Sequence, residues 1–277
     1  MPNHVTNILT ITGEEAEVKK CLAEIKTEEE EGVVRFIDFN TFAPIPQELV
    51  GTTSPSRILT QEEYDAQEER IAKGELTEIE KNWGVSKGIT QAMSDEFMEK
   101  FDADNWYDWQ ISNWGTKWNA YDQVFNEGSN TITFDTAWST PQQAMYHLSA
   151  KYPTLTIKVE YADEDLGHNV GGYIMFDGEI EDCTYPEGGS EEAYEMAMSI
   201  KGDQDYYLEQ YLSEDAEEGS NFTNALIALA HKEQYMVDEY PVFVLEKLKE
   251  LALADEQYER VKELDDLIQA KAEGKVE

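Results

Sequence analysis

Hydrophobic and polar residues alternate along the first part of the chain. Over Val5–Ile11 the odd positions are Val, Asn, Leu and Ile, and threonines occupy two of the positions between them. This period of two is typical of a half-buried β-strand. Helical spacing follows over Glu14–Lys26, with acidic residues in the first turn, where the helix dipole favours them. The apolar run Val33–Phe39 then predicts a second strand, which completes a β-α-β unit.

A second unit of the same kind is predicted later in the chain. Apolar and polar residues alternate in Thr131–Asp135 and in Thr154–Tyr161, which indicates two strands. Between them a helix is predicted over Pro141–Lys151, with Ser139 or Thr140 as N-cap and the proline at the first helical position. Four strands and two helices in this order predict an α+β protein whose core is a ferredoxin-like split β-α-β sandwich.

Residues 41–104, between the two units, are predicted to form a loop and helical insertion. The insertion begins with a stretch rich in Pro, Ser and Thr, which is typical of loops. Two polar stretches, Thr60–Lys73 and Gly88–Phe101, have a few apolar residues at helical spacing. We therefore expect two helices that lie across the sandwich.

The last strand signals predict a hairpin that extends the sheet. Short apolar stretches at Gly172–Phe176 and Glu179–Asp182 flank the turn residues Asp177–Gly178. No strand pattern follows, and helical spacing returns towards the C-terminus. The predicted organisation is a ferredoxin-like domain over residues 1–182, an acidic linker or helical segment over 183–220, and a C-terminal helical bundle or hairpin over 221–277.

Charge changes this picture most strongly. The 277 residues include 59 acidic and 21 basic side chains, a formal net charge of -38. Direct contact with a nucleic-acid backbone or an anionic membrane is excluded on this basis, since both need clustered Lys and Arg. An acidic surface instead attracts a basic partner, here expected to be a protein that itself binds nucleic acid. The alternative is that the charge only keeps the protein soluble.

The acidic residues are concentrated in one part of the chain. Between Asp177 and Ser220 there are 15 acidic residues and one lysine, Lys201. We therefore expect a partner-binding surface built from a set of carboxylates in this region: Glu179, Glu181, Asp182, Glu187, Glu191, Glu192, Glu195, Asp203, Asp205, Glu209, Glu214, Asp215, Glu217 and Glu218.

The two cysteines, Cys21 and Cys183, are far apart and form no CxxC motif. Cys21 lies at an apolar position of the first predicted helix, so a buried, reduced thiol is expected there. The N-terminus lacks the basic and apolar regions of a signal peptide, and no apolar run approaches the ~20 residues that cross a bilayer. These features predict a cytoplasmic protein.

Four segments together resemble a known family. They are MPNHVTNILTITG at the N-terminus, NWGTKWNAYD at Asn113–Asp122, FDTAWSTP at Phe134–Pro141, and the later YPTLTIKVEYADEDLGHNVGG. In order and spacing they are similar to the Api-type family of phage, plasmid and integrative-element proteins, over roughly residues 1–182. The resemblance implies a ferredoxin-like domain and a bacterial host cell, but no catalytic residues. Related plasmid members lie among genes that help an incoming element survive host defences.

Tryptophans are concentrated in Asn105–Tyr121, which includes four of the six in the chain. Single-stranded nucleic acid stacks on aromatic residues only within a positive groove, and Lys117 is the only Lys or Arg between Phe101 and Ala150. The favoured interpretation is structural, with side chains that cover one sheet face and clamp the insertion. Trp114 and Trp118, four residues apart, are expected to share one helical face. A protein-binding hot spot is the competing interpretation. The aromatic set is Trp106, Trp109, Trp114, Trp118 and Trp138.

No motif in the sequence indicates catalysis, a cofactor or a metal. GxSxG, GxxxxGK[ST] and GxGxxG are absent, and neither cysteine is close to a histidine. The acidic stretch Asp102–Asp108 begins like a calcium loop but lacks its glycine at position six and its distal glutamate. We therefore predict no catalytic, cofactor-binding or metal-ligating residues.

The leading hypothesis is a non-enzymatic accessory protein of a phage or plasmid. It would bind and inhibit a basic host protein through its acidic surface, and in the sharpest form it would mimic DNA to block a restriction or defence protein. Two alternatives stay open. One is an enzyme whose site lies between the sheet and the tryptophan-rich block. The other is a scaffold that self-associates through its C-terminal helices.

Overall fold

In this computed structural model the chain forms two compact units, which we describe separately. The first comprises Met1–Glu164 and Gly171–Tyr185, and the second comprises Asp165–Val170 and Pro186–Glu277. The residues that the structure describes are 3–28, 32–77, 80–81, 84–202, 245–246, 249, 253 and 258–272.

A six-stranded sheet is the centre of the first unit. Its strands lie in the order β10-β9-β8-β1-β7-β6, and β1 is antiparallel to both β7 and β8. Among these, β1, β6, β7 and β8 alternate with two helices, α1 and α5, in the order β-α-β-β-α-β. The predicted ferredoxin-like fold is thus confirmed. The bounds are β1 His4–Thr12, α1 Glu15–Glu24, β6 Tyr121–Asn126, β7 Thr131–Ala137, α5 Gln142–Lys151, β8 Thr156–Asp163, β9 Val170–Phe176 and β10 Glu179–Thr184.

One face of the sheet is closed by α1 and α5. The alternation along β1 is visible in its burial, since Val5, Leu9 and Ile11 are fully buried and the residues between them are partly exposed. These side chains form one hydrophobic cluster with buried residues of α1 and α5, such as Val18 and Leu148. Burial of this apolar face is the main stabilising term of the sandwich.

The second strand of the sandwich is not the predicted one. Val33–Phe39 contributes only the two-residue strand β3, Val34–Arg35, which pairs with β2, Thr27–Glu28. The strand beside β7 is instead β6, at the end of the tryptophan-rich stretch. Ile37 and Phe39, two positions apart in this apolar run, are fully buried. A side chain, however, takes the place of a partner strand.

That side chain is Gln123 of β6. Its amide oxygen accepts a hydrogen bond from the Ile37 N–H at 2.9 Å, and its amide nitrogen donates to the Ile37 carbonyl at 2.9 Å. Asn119 adds a third contact, as its side-chain oxygen accepts from the Phe39 N–H at 3.0 Å. Buried main-chain groups need hydrogen-bond partners, and here amide side chains supply them.

The hairpin at the other edge of the sheet is confirmed. β9 and β10 are antiparallel, and Asp177 and Gly178 both have positive φ angles, 48° and 78°. Two such residues form the turn that matches strand twist. Helix α5, by contrast, begins one residue later than predicted. Pro141 is its N-cap instead of its first residue, and no side chain caps it.

The insertion includes the two predicted helices, α2 and α3. Thr60 and Glu63 form a reciprocal capping box at the start of α2, and Thr90 caps α3. Gln67 of α2 repeats the arrangement of Gln123, since its amide both donates to and accepts from the main chain of Gly88, at 3.0 and 2.9 Å. The bounds are β4 Ile58–Leu59, α2 Gln61–Ala72, β5 Ile89–Thr90, α3 Gln91–Phe101 and α4 Trp106–Trp114.

A carboxylate joins three parts of the insertion. Asp104 accepts hydrogen bonds from Ser56, from Ser94 of α3 at 2.6 Å, and from the Asn105 amide at 3.0 Å. Burial raises the pKa of the Asp104 carboxyl, but the two hydroxyls and the amide outweigh it, so the pKa lies below its usual value. This network explains the acidic stretch that resembles a calcium loop.

The second unit includes α6, Glu191–Lys201, and α7, Tyr258–Ala272. Ser190 caps α6 through its hydroxyl, and Ala193, Ala197 and Met198 are buried along one side of this helix. Residues 203–220 of the predicted acidic segment 183–220 lie outside the described residues, as does most of 221–257. The linker, the C-terminal bundle and its self-association therefore stay predictions.

No helix among the residues placed in the structure is both long and apolar enough to cross a membrane.

We predict that Asp104→Ala lowers the free energy of unfolding by about 1–3 kcal/mol, because three donors, two of them buried, lose their acceptor. The matched control Glu99→Ala, on the exposed side of α3, should change it by less than about 0.5 kcal/mol. Urea unfolding followed by circular dichroism measures both.

A comparison of wild type with Asp104→Asn tests the sign of the pKa shift. The folded-state pKa of Asp104 is below its ordinary value of 3.8, so its contribution is present above that pH and is lost as the pH falls through the folded-state pKa. The stability difference between wild type and Asp104→Asn should therefore shrink below pH 3.8. A difference that grows on acidification would contradict this assignment.

Candidate functional site

The two tryptophan-containing segments that suggested the family meet at one end of the sheet. Gly115 ends α4 with a φ of 79°, and a Cβ there would lie 3.2 Å from the main-chain nitrogen of Gln143. The Ser139 hydroxyl donates to the Gly115 carbonyl, and the Thr116 hydroxyl donates to the Ala137 carbonyl at 2.8 Å. The glycine is thus required both by its backbone angle and by the close approach of α5.

Trp114 is the buried centre of this junction. Its side chain is 1% exposed, and its indole N–H donates to the carbonyl of Ala43 in the insertion at 2.8 Å. The rings of Phe39 and Trp109 meet it edge-on, with centroids 5.6 and 5.9 Å away. Trp114 therefore binds the insertion to the sandwich by packing and by a hydrogen bond.

Trp118 and Trp138 occupy a different environment. The prediction that Trp114 and Trp118 share a helical face is wrong, because α4 ends at Trp114 and the chain turns at Gly115. Trp118 and Trp138 are 39% and 42% exposed. The Lys117 ammonium lies over both rings, 4.9 and 4.8 Å from their centroids, a cation–π arrangement.

A cleft of about 470 Å³ opens between α4 and the insertion, within the first unit. We call it the tryptophan cleft. Trp106, Gln110 and Trp114, spaced four residues apart on α4, line one wall, and Trp118 lines its edge. The other lining residues are all uncharged: Asn40, Ile45, Val50, Gly51, Thr52, Gly84, Val85, Ser86 and Asn119.

Gln110 has an unusual feature within this cleft. Its side-chain oxygen is buried and accepts no hydrogen bond, a property it shares only with Asn7 among the residues that the structure describes. A buried acceptor without a donor costs about 1–3 kcal/mol. Sequence reasoning did not identify Gln110, because a single glutamine in an aromatic stretch has no recognisable pattern.

The enzyme hypothesis required a histidine or carboxylate in a pocket near Trp114. The lining of the tryptophan cleft includes neither. Burial raises the pKa of the Cys21 thiol to about 12, so this group is not a nucleophile at neutral pH. Across the described part of the chain, no three His, Cys, Asp or Glu side chains cluster as metal ligands do. The histidine or carboxylate that the enzyme hypothesis requires is thus not found among the described residues of the cleft.

The predicted acidic residues are placed only in part. Glu179, Glu181 and Asp182 lie on the edge strand β10, and we call these three the acidic strand. Glu187, Glu192 and Glu195 belong to the second unit, and all six side chains are exposed. The side chain of Glu191 is not among those that the structure describes. The other members of the predicted set lie outside the described residues: Asp203, Asp205, Glu209, Glu214, Asp215, Glu217 and Glu218.

Like Glu62 and Glu99 in the first unit, these six carboxylates are exposed and form no ion pair within the described residues, whereas other helix carboxylates are paired. Pairs such as Glu15–Lys19, Glu69–Lys73 and Glu96–Lys100 place a lysine one helical turn from each glutamate. Within the described residues, no Lys or Arg forms an ion pair with any of the six. Their negative charge is therefore uncompensated.

Comparison with known proteins agrees with this fold. Residues 113–203 match the family model of the ferredoxin-like domain in Api92-like protein. The match begins at the first residue of NWGTKW and ends after α6, so the Api-type resemblance is confirmed for that part of the chain. A crystal structure of the protein api92 from Yersinia pseudotuberculosis is also similar, at 12% identity and a TM-score of 0.32, over 69% of this chain and 100% of that one. No curated protein matches the sequence.

We predict that Trp114→Phe lowers the free energy of unfolding by about 2–4 kcal/mol. The substitution leaves a cavity in the junction and removes the donor to the Ala43 carbonyl. The matched control Trp118→Phe affects a half-exposed ring and should cost less than about 1 kcal/mol. Equal losses in urea unfolding would show that both tryptophans stabilise the fold alike.

Proposed function

We propose that this protein is a non-enzymatic binding protein that attaches to a basic protein through its exposed carboxylates. The observation that favours this function is the set of six uncompensated carboxylates at residues 179–195. Folding stability alone does not require them, since like charges that face solvent without partners repel one another. A complementary positive surface would relieve that repulsion and accelerate association.

The acidic strand favours a partner that has an extended, positively charged surface. Its three carboxylates lie on six consecutive residues at the exposed edge of the sheet. Positive surfaces of this kind are typical of proteins that bind nucleic acid, which use clustered Lys and Arg to contact phosphates. We therefore propose a nucleic-acid-binding protein as the partner, with the carboxylates in the place of phosphates.

The Api-type resemblance supports a more specific form of this proposal. In a phage or plasmid protein, such a surface would inhibit a host protein by occupying its DNA-binding groove in the bacterial cytoplasm. The target would be a restriction or other defence protein, which the incoming element must evade. The net charge of -38 is consistent with mimicry of a polyanion.

Neutralising the acidic strand should weaken such a complex. A partner is first captured from bacterial lysate at low salt on the immobilised full chain, and its affinity is then measured with purified protein. Glu179→Gln, Glu181→Gln and Asp182→Asn together should weaken binding about tenfold, since exposed ion pairs contribute roughly 0.2–1 kcal/mol each. Binding should also weaken as salt increases, and a 20-base-pair duplex (roughly two helical turns) should compete.

The control variant removes the same number of charges elsewhere. Glu62, Glu99 and Glu127 are exposed glutamates of the first unit outside the acidic strand, and replacing all three by Gln keeps the net charge equal. This control should retain most of the affinity. Equal weakening in both triple variants would show that only net charge matters. A complex that is insensitive to salt would contradict the proposal.

A further inference from the structure

The tryptophan cleft has chemistry opposite to that of the acidic surface. We propose that it binds an uncharged, ring-shaped ligand that donates hydrogen bonds, the chemistry shared by a neutral sugar and a nucleoside base. Its volume of about 470 Å³ falls within the range of small-molecule sites. This site is independent of the proposed protein-binding function.

The ligand must be uncharged because none of the described residues that line the cleft carries a charge. An ion placed among three indoles would lose its hydration without gaining a counter-charge. Anions are further opposed by the net charge of -38. Lys117, near the edge of the cleft, already lies over the rings of Trp118 and Trp138.

The ligand must have a flat face because indoles dominate one side of the cleft. Trp106 and Trp114 are two turns apart on α4, and Trp118, four residues beyond the helix end, also lines the cleft. Trp114 is fixed by its hydrogen bond to the Ala43 carbonyl, whereas Trp118 is 39% exposed and is contacted by Lys117 and Tyr121. Ring faces of sugars and bases stack on such indoles.

The ligand must donate a hydrogen bond because Gln110 offers an acceptor without a donor. Gln110 lies between Trp106 and Trp114 on the same stripe of α4. Its terminal torsion is broad and nearly two-fold, so a rotation of the amide would present this buried oxygen to a ligand. A ligand N–H or O–H would then supply the missing hydrogen bond.

The opposite wall is held in place by its own hydrogen bonds. The Thr52 hydroxyl donates to the Leu49 carbonyl at 2.8 Å and accepts from the main-chain N–H of Trp106 at 3.0 Å. Gly51 has a φ of 79°, a Cβ there would lie 3.1 Å from the Val85 carbonyl oxygen, and its own carbonyl accepts from the Lys87 N–H at 2.6 Å. A wall with fixed main chain and satisfied polar groups is preorganised for binding.

Saturation-transfer NMR on the full chain tests the ligand class with four probes in two matched pairs. Glucose is compared with glucose 6-phosphate, and adenosine with adenosine monophosphate. At least one neutral probe should bind with a Kd on the order of 1 mM, and its phosphorylated partner should bind at least about tenfold more weakly. The neutral member that binds distinguishes a sugar from a base. Absence of binding by both, or equal binding by a phosphorylated partner, overturns the proposal.

Three variants locate the site. Trp118→Ala should weaken binding about tenfold, whereas Trp138→Ala, which removes a similarly exposed indole outside the cleft lining, should not. Gln110→Met should weaken binding and yet raise Tm by about 2–4 °C, because it removes an unpaired buried oxygen. Equal effects of Trp118→Ala and Trp138→Ala, or unchanged binding in Gln110→Met, would show that the ligand binds elsewhere.

Discussion

The fold depends on side-chain amides and one indole that bind the main chain of distant segments. Nearly a hundred residues lie between helix α1 and strand β6, and this segment must pack against the sheet. Gln123 pairs with the main chain of Ile37, Asn119 with Phe39, and Trp114 with Ala43. Without these contacts, buried peptide groups would lack partners, and the insertion could not lie against the sheet. The tryptophan cleft exists because this closure leaves a gap beside α4.

This dependence explains which parts of the structure the sequence predicts. Strand β1, helix α5 and the β9–β10 hairpin follow from local periodicity and turn chemistry, which act over a few residues. The bond between Gln123 and Ile37 joins residues 86 positions apart and has no local pattern. Local periodicity therefore predicted a strand at Val33–Phe39 and did not predict β6. The cleft and Gln110 could not be predicted for the same reason, since they arise only when the insertion closes.

Edge protection is an alternative explanation for part of the acidic surface. Sheet edges commonly have charged residues and bulges that prevent pairing with other chains. The acidic strand has both, with a register shift between Ile180 and Asp182, and Asp182 accepts a hydrogen bond from the Cys183 N–H at 2.9 Å. Glu192 and Glu195, however, lie on helix α6, where no sheet edge needs protection. Edge protection is thus compatible with the acidic strand alone, whereas the proposed binding role covers the carboxylates of the strand and of the helix.

The segments that reveal the family mark a structural junction more than a chemical site. The main chains of this junction are joined by the close approach at Gly115 and by hydrogen bonds from the Thr116 and Asn119 side chains. None of these three residues is a nucleophile or a base. Function is therefore expected where the same junction leaves groups unsatisfied, at the uncharged cleft, and where charge is left uncompensated, at the acidic surface. Salt separates these two surfaces. Screening weakens contacts between exposed charges, while stacking and hydrogen bonding in a neutral cleft are little affected. Binding that persists at high salt is therefore assigned to the cleft. Binding that is lost at high salt is assigned to the carboxylates.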